Sequence, residues 1–425
     1  MLTVTTESNY LAKVVKLGQP KKHPNADKLQ IWDIDGYEVI TDLTSKPGDI
    51  KIFFPVECQI NDRIISKLNL YSDKTLNSDS TISGYIGKQR RVKAVKLRDV
   101  ISEGMLLPAD DILDLGAMWL NYIGTKFDTV SGTIICQKYV PEVKEVRSGG
   151  GLGKPKGSKV SDILVPGQFN FHYSTSKLQD NLWQFTNPND VIVITDKWHG
   201  TSAVFANLLC YKKLSLWQKL GKFFGAKIST TEYRNMYASR SVLKHIEDVH
   251  QADNLGFYNV DLWGKVFKEI EHLLFPGITI YGEIVGYVGD TKMIQKGYDY
   301  GCKPGQHKFL VYRITHTYSD NHIEEYSWHE IQDFCKEHGL ETVKELYYGT
   351  IENFLLENAG VDTGLLDTLK GKYLEQMCTY CKSKVPSEGI CVRNESSNKL
   401  AYKLKSKMFL LKESQDLDTA TEVID

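Results

Sequence analysis

Val191-Ile192-Val193-Ile194-Thr195-Asp196-Lys197-Trp198-His199-Gly200-Thr201-Ser202 is the stretch on which the reading of this chain turns. Its first four residues are an apolar, β-branched run of the kind that forms a buried strand. A lysine at the end of such a strand, next to a tight glycine turn, is well placed to act as an amine nucleophile. Burial lowers the pKa of an ammonium, and only the neutral amine attacks. The bland alternative is a surface turn that follows a strand, since Lys-x-His-Gly also occurs by chance.

The chain around it has 425 residues, which implies two or three domains rather than one core. Charged residues make up 25% and the apolar set 41%, as in a soluble globular enzyme. With 52 basic and 53 acidic side chains, any nucleic-acid site must be a local basic stretch and not a global field. No apolar run approaches the roughly 18 residues of a membrane span. The start, Met1-Leu2-Thr3-Val4-Thr5-Thr6, lacks the regions of a signal peptide. An intracellular, cytoplasmic and reducing compartment is therefore expected. Of the eight cysteines only Cys378-Thr-Tyr-Cys381 has metal-like spacing. A zinc site needs a second such pair, so these two are assigned to one face of a helix.

Residues 1–125 read as β-rich, with Lys28–Asp35 and Ile50–Phe54 as strands and Gly36 and Pro47-Gly48 as punctuation. Short strands so spaced suggest a small barrel. Lys88, Arg90, Arg91, Lys93, Lys96 and Arg98 form a basic stretch, read either as a solvated strand face or as an oligonucleotide-binding one. A linker is expected over 126–165, with Arg147–Lys159 rich in glycine and lysine and unable to pack a core. Strands and helices mix over 166–425, with a helix at Tyr258–Leu274, strands at Ile278–Tyr281 and Lys308–Ile314, and a helical insert at about 320–382.

Further segments carry chemistry. Tyr281-Gly-Glu283-Ile-Val-Gly286 sets a carboxylate between glycines, where a ligand approaches the backbone and ribose hydroxyls can be accepted. Ser387-Glu388-Gly-Ile-Cys-Val-Arg393 opens a strand with a carboxylate suited to Mg²⁺ or its water shell. In Ala401-Tyr-Lys403-Leu-Lys405-Ser406 the two lysines share a strand face, making a phosphate clamp. Ala238-Ser-Arg240 offers an arginine for a phosphate. Each alone has a plain structural alternative; the order is what carries weight.

That order resembles the covalent nucleotidyltransferase superfamily of polynucleotide ligases and capping enzymes, over residues 165–412. The resemblance implies an α+β fold: an N-terminal OB-like β-barrel, then an ATP-grasp-like nucleotidyltransferase domain of antiparallel sheets with helices. It implies ATP as cofactor, held as covalent AMP, with Mg²⁺ or Mn²⁺. Lys197 would form the lysyl-AMP adduct, with His199 and Gly200 beside the nucleotide. Arg240 would hold a phosphate or the RNA 3′ end, and Glu283 the ribose. Tyr312 would stack on adenine, with Phe309 the alternative. Glu388 would serve the metal, with Glu283 as its partner, and Lys403 and Lys405 the α-phosphate. His199 stands where most of the superfamily has Asp, Cys391 where an aliphatic is usual, and Arg313 where Asp is common.

Residues 10–110, with His23-Pro-Asn-Ala-Asp-Lys-Leu29, Phe54-Pro55 and Glu103-Gly-Met-Leu-Leu-Pro108, look like the OB-type domain of one ATP-dependent RNA ligase branch, and Lys-x-His-Gly resembles that branch too. DNA ligases and capping enzymes usually carry their OB domain after Lys-x-Lys. An RNA ligase is therefore expected, acting on RNA or an RNA-containing nicked duplex, with no membrane partner, as a monomer and in RNA repair. The alternatives are an RNA- or tRNA-binding OB protein with an inactive ligase domain, and an mRNA guanylyltransferase.

Overall fold

In a computed structural model Val191–Lys197 forms a central strand. The structure describes residues 2–5, 10–112, 121–140, 163–170, 175–240, 242–246, 249–250, 258, 260–358 and 364–419. The expected mobile stretch Arg147–Lys159 lies outside them.

In the N-terminal part, β1 (Ala12–Lys16), β2 (Leu29–Ile34), β3 (Tyr37–Asp42), β4 (Ile50–Pro55), β5 (Cys58–Ile60), β6 (Gly104–Pro108), β7 (Lys126–Phe127) and β8 (Cys136–Lys138) carry the framework. Strands β6, β4, β1 and β7 make one sheet; β2 and β3 belong to another, and β8 pairs with β5. They close on Val14, Ile52, Phe54, Ile65 and Phe127, with a second cluster around Trp32, Val39 and Phe53. Among the described residues the strands form several small antiparallel sheets and no closed barrel. Residues 126–138, expected to open a linker, pair as strands with this part.

The larger part holds two sheets. The first runs in the order β9 (Ser176–Lys177), β17 (Ala401–Lys405), β16 (Gly389–Asn394), β10 (Val191–Lys197), β15 (Glu345–Thr350). The second is built on β12 (Thr231–Ser239), β11 (Thr201–Tyr211), β13 (Ile278–Gly286) and β14 (His307–Thr317), with shorter strands at both edges. The chain crosses from the first sheet to the second through Trp198-His199-Gly200, between β10 and β11. Alternation along β10 sends Ile192 and Ile194 to one face and Val193, Thr195 and Lys197 to the other. Ile192 and Ile194 pack under α1 (Ile351–Asn358) and α2 (Leu365–Tyr373) through Phe354 and Leu369. Val193 packs inward with Phe205, Ile280, Ile284, Val311 and Phe409.

The expected helix at Tyr258–Leu274 is a helix at Leu262–Ile270 with a 3₁₀ turn at Glu271–Leu273. The region 320–382 is less helical than expected. A helix at Trp328–His338 and the two helices just named alternate with strands, and β15 joins the sheet of β10. Cys378 and Cys381 do not lie on a helix: α2 ends at Tyr373, Glu375 has φ of 59°, and the two thiols meet across a turn with Sγ atoms 2.7 Å apart.

Two residues of the basic stretch, Arg91 and Lys93, are spent on the fold. The terminal helix α3 (Lys407–Asp418) lies against them. Arg91, 5% exposed, donates to the Ser414 carbonyl at 2.7 Å and pairs with Asp418 at 2.9 Å. Lys93 joins Asp418 at 2.7 Å, Lys88 pairs with Asp73 and Lys96 with Asp99.

Candidate active site

Register assembles the cationic wall. Lys197 lies opposite Gly389, which lies opposite Lys405; one row back, Thr195, Cys391 and Lys403 are aligned in the same way. Directly opposed residues share a face, so Lys197, Lys403 and Lys405 point into one pocket. That pocket has an open volume of about 1390 Å³, and its walls include Lys197, His199, Gly200, Arg240, Glu283, Tyr312, Glu388, Lys403 and Lys405. The motifs scattered over two hundred residues thus converge. Phe309 does not join them: its ring lies edge-on to Phe205, with centroids 5.0 Å apart, over Gly282. Of the two expected stacking aromatics, Tyr312 is the one that lines the pocket.

Lys197 Nζ lies 2.9 Å from Glu388 Oε1. Desolvation pulls the amine's pKa down, but Glu388, with Cys391 and Glu283, outweighs it, and the pKa is raised above that of ordinary lysine. This corrects the expectation that burial would leave the amine neutral: burial is the largest single influence, but Glu388 and the other negative neighbours together outweigh it. Glu388 is 4% exposed. Burial pushes its pKa up, while Lys197, His199 and Lys405 hold it below the usual carboxylate range. Among the described residues its Oε2 has no hydrogen-bond partner, and His199 Nδ1 is 3.8 Å away.

Glu283 has a structural task as well as a place in the wall. Gly200 N–H donates to its Oε1 at 3.0 Å and Ser202 Oγ to its Oε2 at 3.2 Å, so it clamps the turn that follows Lys197. Gly200 is needed there, because a Cβ would meet the Ile284 carbonyl and the Val285 and Glu283 side chains. The His199 N–H donates to Tyr300 Oη at 2.7 Å, and its ring stands edge-on to Tyr298 and Phe409. Trp198 is stacked between Tyr300 and Tyr380, with centroids 4.4 and 4.8 Å away.

Sequence reasoning missed four contributors: Tyr10, Glu57, Lys138 and Glu413, all in the pocket wall. Lys405 Nζ sits 3.2 Å from Glu57 and 3.0 Å from Glu413. Glu57 also accepts from Tyr10 Oη at 2.7 Å. Burial raises the Glu57 pKa, yet Lys405, Lys403 and Lys177 hold it well below the ordinary value. Burial and then Glu57 push Glu413 up to about 7 against the pull of Lys405. Burial, then Lys405, brings Lys403 down to about 7; burial, then Arg240, brings Lys138 down to about 8. Glu57 has φ of 71°, a left-handed backbone uncommon for a non-glycine residue and frequent at functional sites. That conformation was its one local signal, and it is not readable from composition.

The pocket therefore combines a buried lysine amine, a carboxylate with an uncommitted oxygen and a concentration of cations suited to a polyanion. Among the described residues no group of three or more His, Cys, Asp or Glu side chains is placed to hold a metal ion by itself.

Comparison with known proteins points the same way. The family model described as RNA ligase matches residues 190–407. No curated protein matches the chain in sequence. Among solved structures, a lysine-to-methionine variant of the Naegleria gruberi RNA ligase with AMP and Mn is 16% identical, with a TM-score of 0.55, covering 95% of this chain and 98% of that one. An arginine-to-alanine variant with ATP and Mn gives 16% and 0.57 over the same shares. The same ligase with PPi gives 15% and 0.55, covering 96% and 99%. At these identities the likeness is one of fold.

Proposed function

The chain belongs to the RNA ligase family, and from that premise we propose that it joins an RNA 3′-OH to a 5′-phosphate through a lysyl-AMP on Lys197 and an adenylylated nucleic-acid end. The observation that carries this is the convergence of Lys197, Glu283, Glu388, Lys403, Lys405 and Arg240 on one pocket. The solved ligases of like fold, with ATP or AMP and Mn, support ATP and a divalent metal as its requirements.

In the first step Lys197 Nζ, after losing its proton, attacks the α-phosphorus of ATP. An N–P bond forms, the bond to the bridging oxygen breaks, and pyrophosphate leaves. Lys403 and Lys405 face the charge that gathers on the phosphoryl oxygens. In the second step the 5′-phosphate oxygen takes the AMP from Lys197. In the third the 3′-OH attacks that phosphate and AMP leaves. Tyr312 is the wall for the base, Glu283 for the ribose, and Arg240 with Lys138 for outer phosphates or the RNA end.

A divalent cation fits here in a limited way. The uncommitted Glu388 Oε2 suits one contact to the ion or its water shell, and substrate phosphates would complete the set. Such an ion supplies charge neutralisation at the phosphates and at Glu388. Glu283, with both oxygens engaged by the turn, is the weaker donor.

We assign residues 1–125 and the strands up to Lys138 to an OB-like module that tracks RNA near the reacting ends, and 166–425 to the adenylyltransferase domain. The protein acts as a monomer inside the cell, where its cysteines stay reduced, and its task is the repair of broken RNA. The deciding experiment incubates wild type and Lys197→Ala with α-labelled ATP and examines the denatured protein. Label on wild type and none on the variant is expected. Label on the variant would remove Lys197 from its role, and labelling by GTP alone would indicate a guanylyltransferase.

A further inference from the structure

The hairpin between β11 and β12 carries, away from the pocket, a helix that the ligase reading does not use. It spans Leu216–Phe223 and starts on a capping box of Ser215 with Gln218. At 100° per residue, Leu216, Trp217, Leu220, Phe223 and Phe224 fall within an arc of about 120°. That arc faces solvent: Leu216, Trp217, Phe223 and Phe224 are 83%, 82%, 83% and 76% exposed and Leu220 48%. Isolated exposed apolar side chains need no explanation, but a contiguous face of this kind marks a binding surface.

The charges around the face select its partner. From Lys212 to Thr231 the chain carries Lys212, Lys213, Lys219, Lys222 and Lys227 and no acidic residue. Lys212 reaches Glu232 beyond the segment, at 3.5 Å. Lys222 occupies the helix side opposite the apolar arc, and Lys219 flanks the arc beside Phe223. Leucine and phenylalanine on one face, a tryptophan at one margin and lysines at the other margin and behind are the composition of a helix that lies in a lipid interface. A single-stranded RNA platform uses aromatic rings spaced for stacking, and Leu216 and Leu220 have no ring to offer. Position agrees: Tyr211, at the hairpin tip, is about 30 Å along β11 from Ser202 at the pocket.

We propose that this helix is a peripheral docking element for an anionic phospholipid surface, inserting Trp217, Leu220 and Phe223 among acyl chains while the lysines meet the headgroups. It lies on the membrane and does not cross it, consistent with the absence of any spanning helix among the described residues.

The full chain should float with phosphatidylcholine vesicles that contain phosphatidylserine and stay behind with phosphatidylcholine alone, and added salt should weaken the association. The exposed double variants Trp217→Ser/Phe223→Ser and Lys219→Gln/Lys222→Gln should each lose about tenfold or more of that partitioning. Both should take up label from ATP at the wild-type level, which separates this test from that of the ligase reading. Failure of the wild type to float would overturn the proposal. So would unchanged flotation of both variants. Vesicle-independent loss of single-stranded RNA binding in the first variant would assign the face to RNA, and loss of a concentration-dependent dimer without vesicle binding would assign it to a second copy of the chain.

Discussion

The ion pair between Lys197 and Glu388 sets the protonation problem of the enzyme. The amine is held as ammonium, because Glu388, Cys391 and Glu283 together raise its pKa more than burial lowers it. The attacking form is therefore gained as pH rises, and single-turnover labelling from ATP should increase across the neutral to alkaline range. Glu388→Gln removes the largest raising influence, so the rising limb should move to lower pH even as the maximal rate falls. Rates of label uptake over a pH series check both movements; an unshifted limb would show that another group controls it. A cation drawing Glu388 away from Lys197 would have the same sense, lowering the amine's pKa at the moment it is needed.

At the scale of elements, the pocket depends on β16 lying flush between β10 and β17. Gly389 makes this possible: its φ is 137°, and an added Cβ would overlap the Leu404 carbonyl of the neighbouring strand. Gly389→Ala should cost about 2–4 kcal/mol, from backbone strain plus a steric clash that shifts the ladder. Urea unfolding followed by circular dichroism measures this, and a loss below about 1 kcal/mol would mean the strand adjusts freely. The strands and their chemistry were legible from sequence for a physical reason. Short apolar runs ending in Lys197 or starting at Glu388 carry strand periodicity and reactive group together. Cys378 and Cys381 misled because a spacing of three suits a helical turn, whereas the left-handed Glu375 ends the helix first. The pairing of Arg91 and Lys93 with Asp418 was not legible, because Asp418 lies 327 and 325 residues away and no local pattern announces it.

At the scale of the whole molecule, Lys405 is the junction of three parts. Glu57 reaches it from the N-terminal sheets, 348 residues away, and Glu413 from the terminal helix, while Glu388 lies 4.0 Å off within the nucleotide-site sheet. Glu57→Gln keeps the shape and removes the charge. It should slow label uptake about tenfold or more while leaving the melting temperature within a few degrees, since one preoriented cation is loosened. An unchanged rate would reduce Glu57 to a packing residue. The position of β10 between β15 and β16 has a further meaning for how the molecule comes to exist. Ile192 faces Gly349 on one side and Asn394 on the other, pairings that close very long loops. Such contacts are slow to form because loop-closure entropy is lost before they repay it. Helices and hairpins can be in place while the reactive lysine still lacks its neighbours, so on dilution from denaturant the capacity to take up AMP should return after the bulk of the backbone signal.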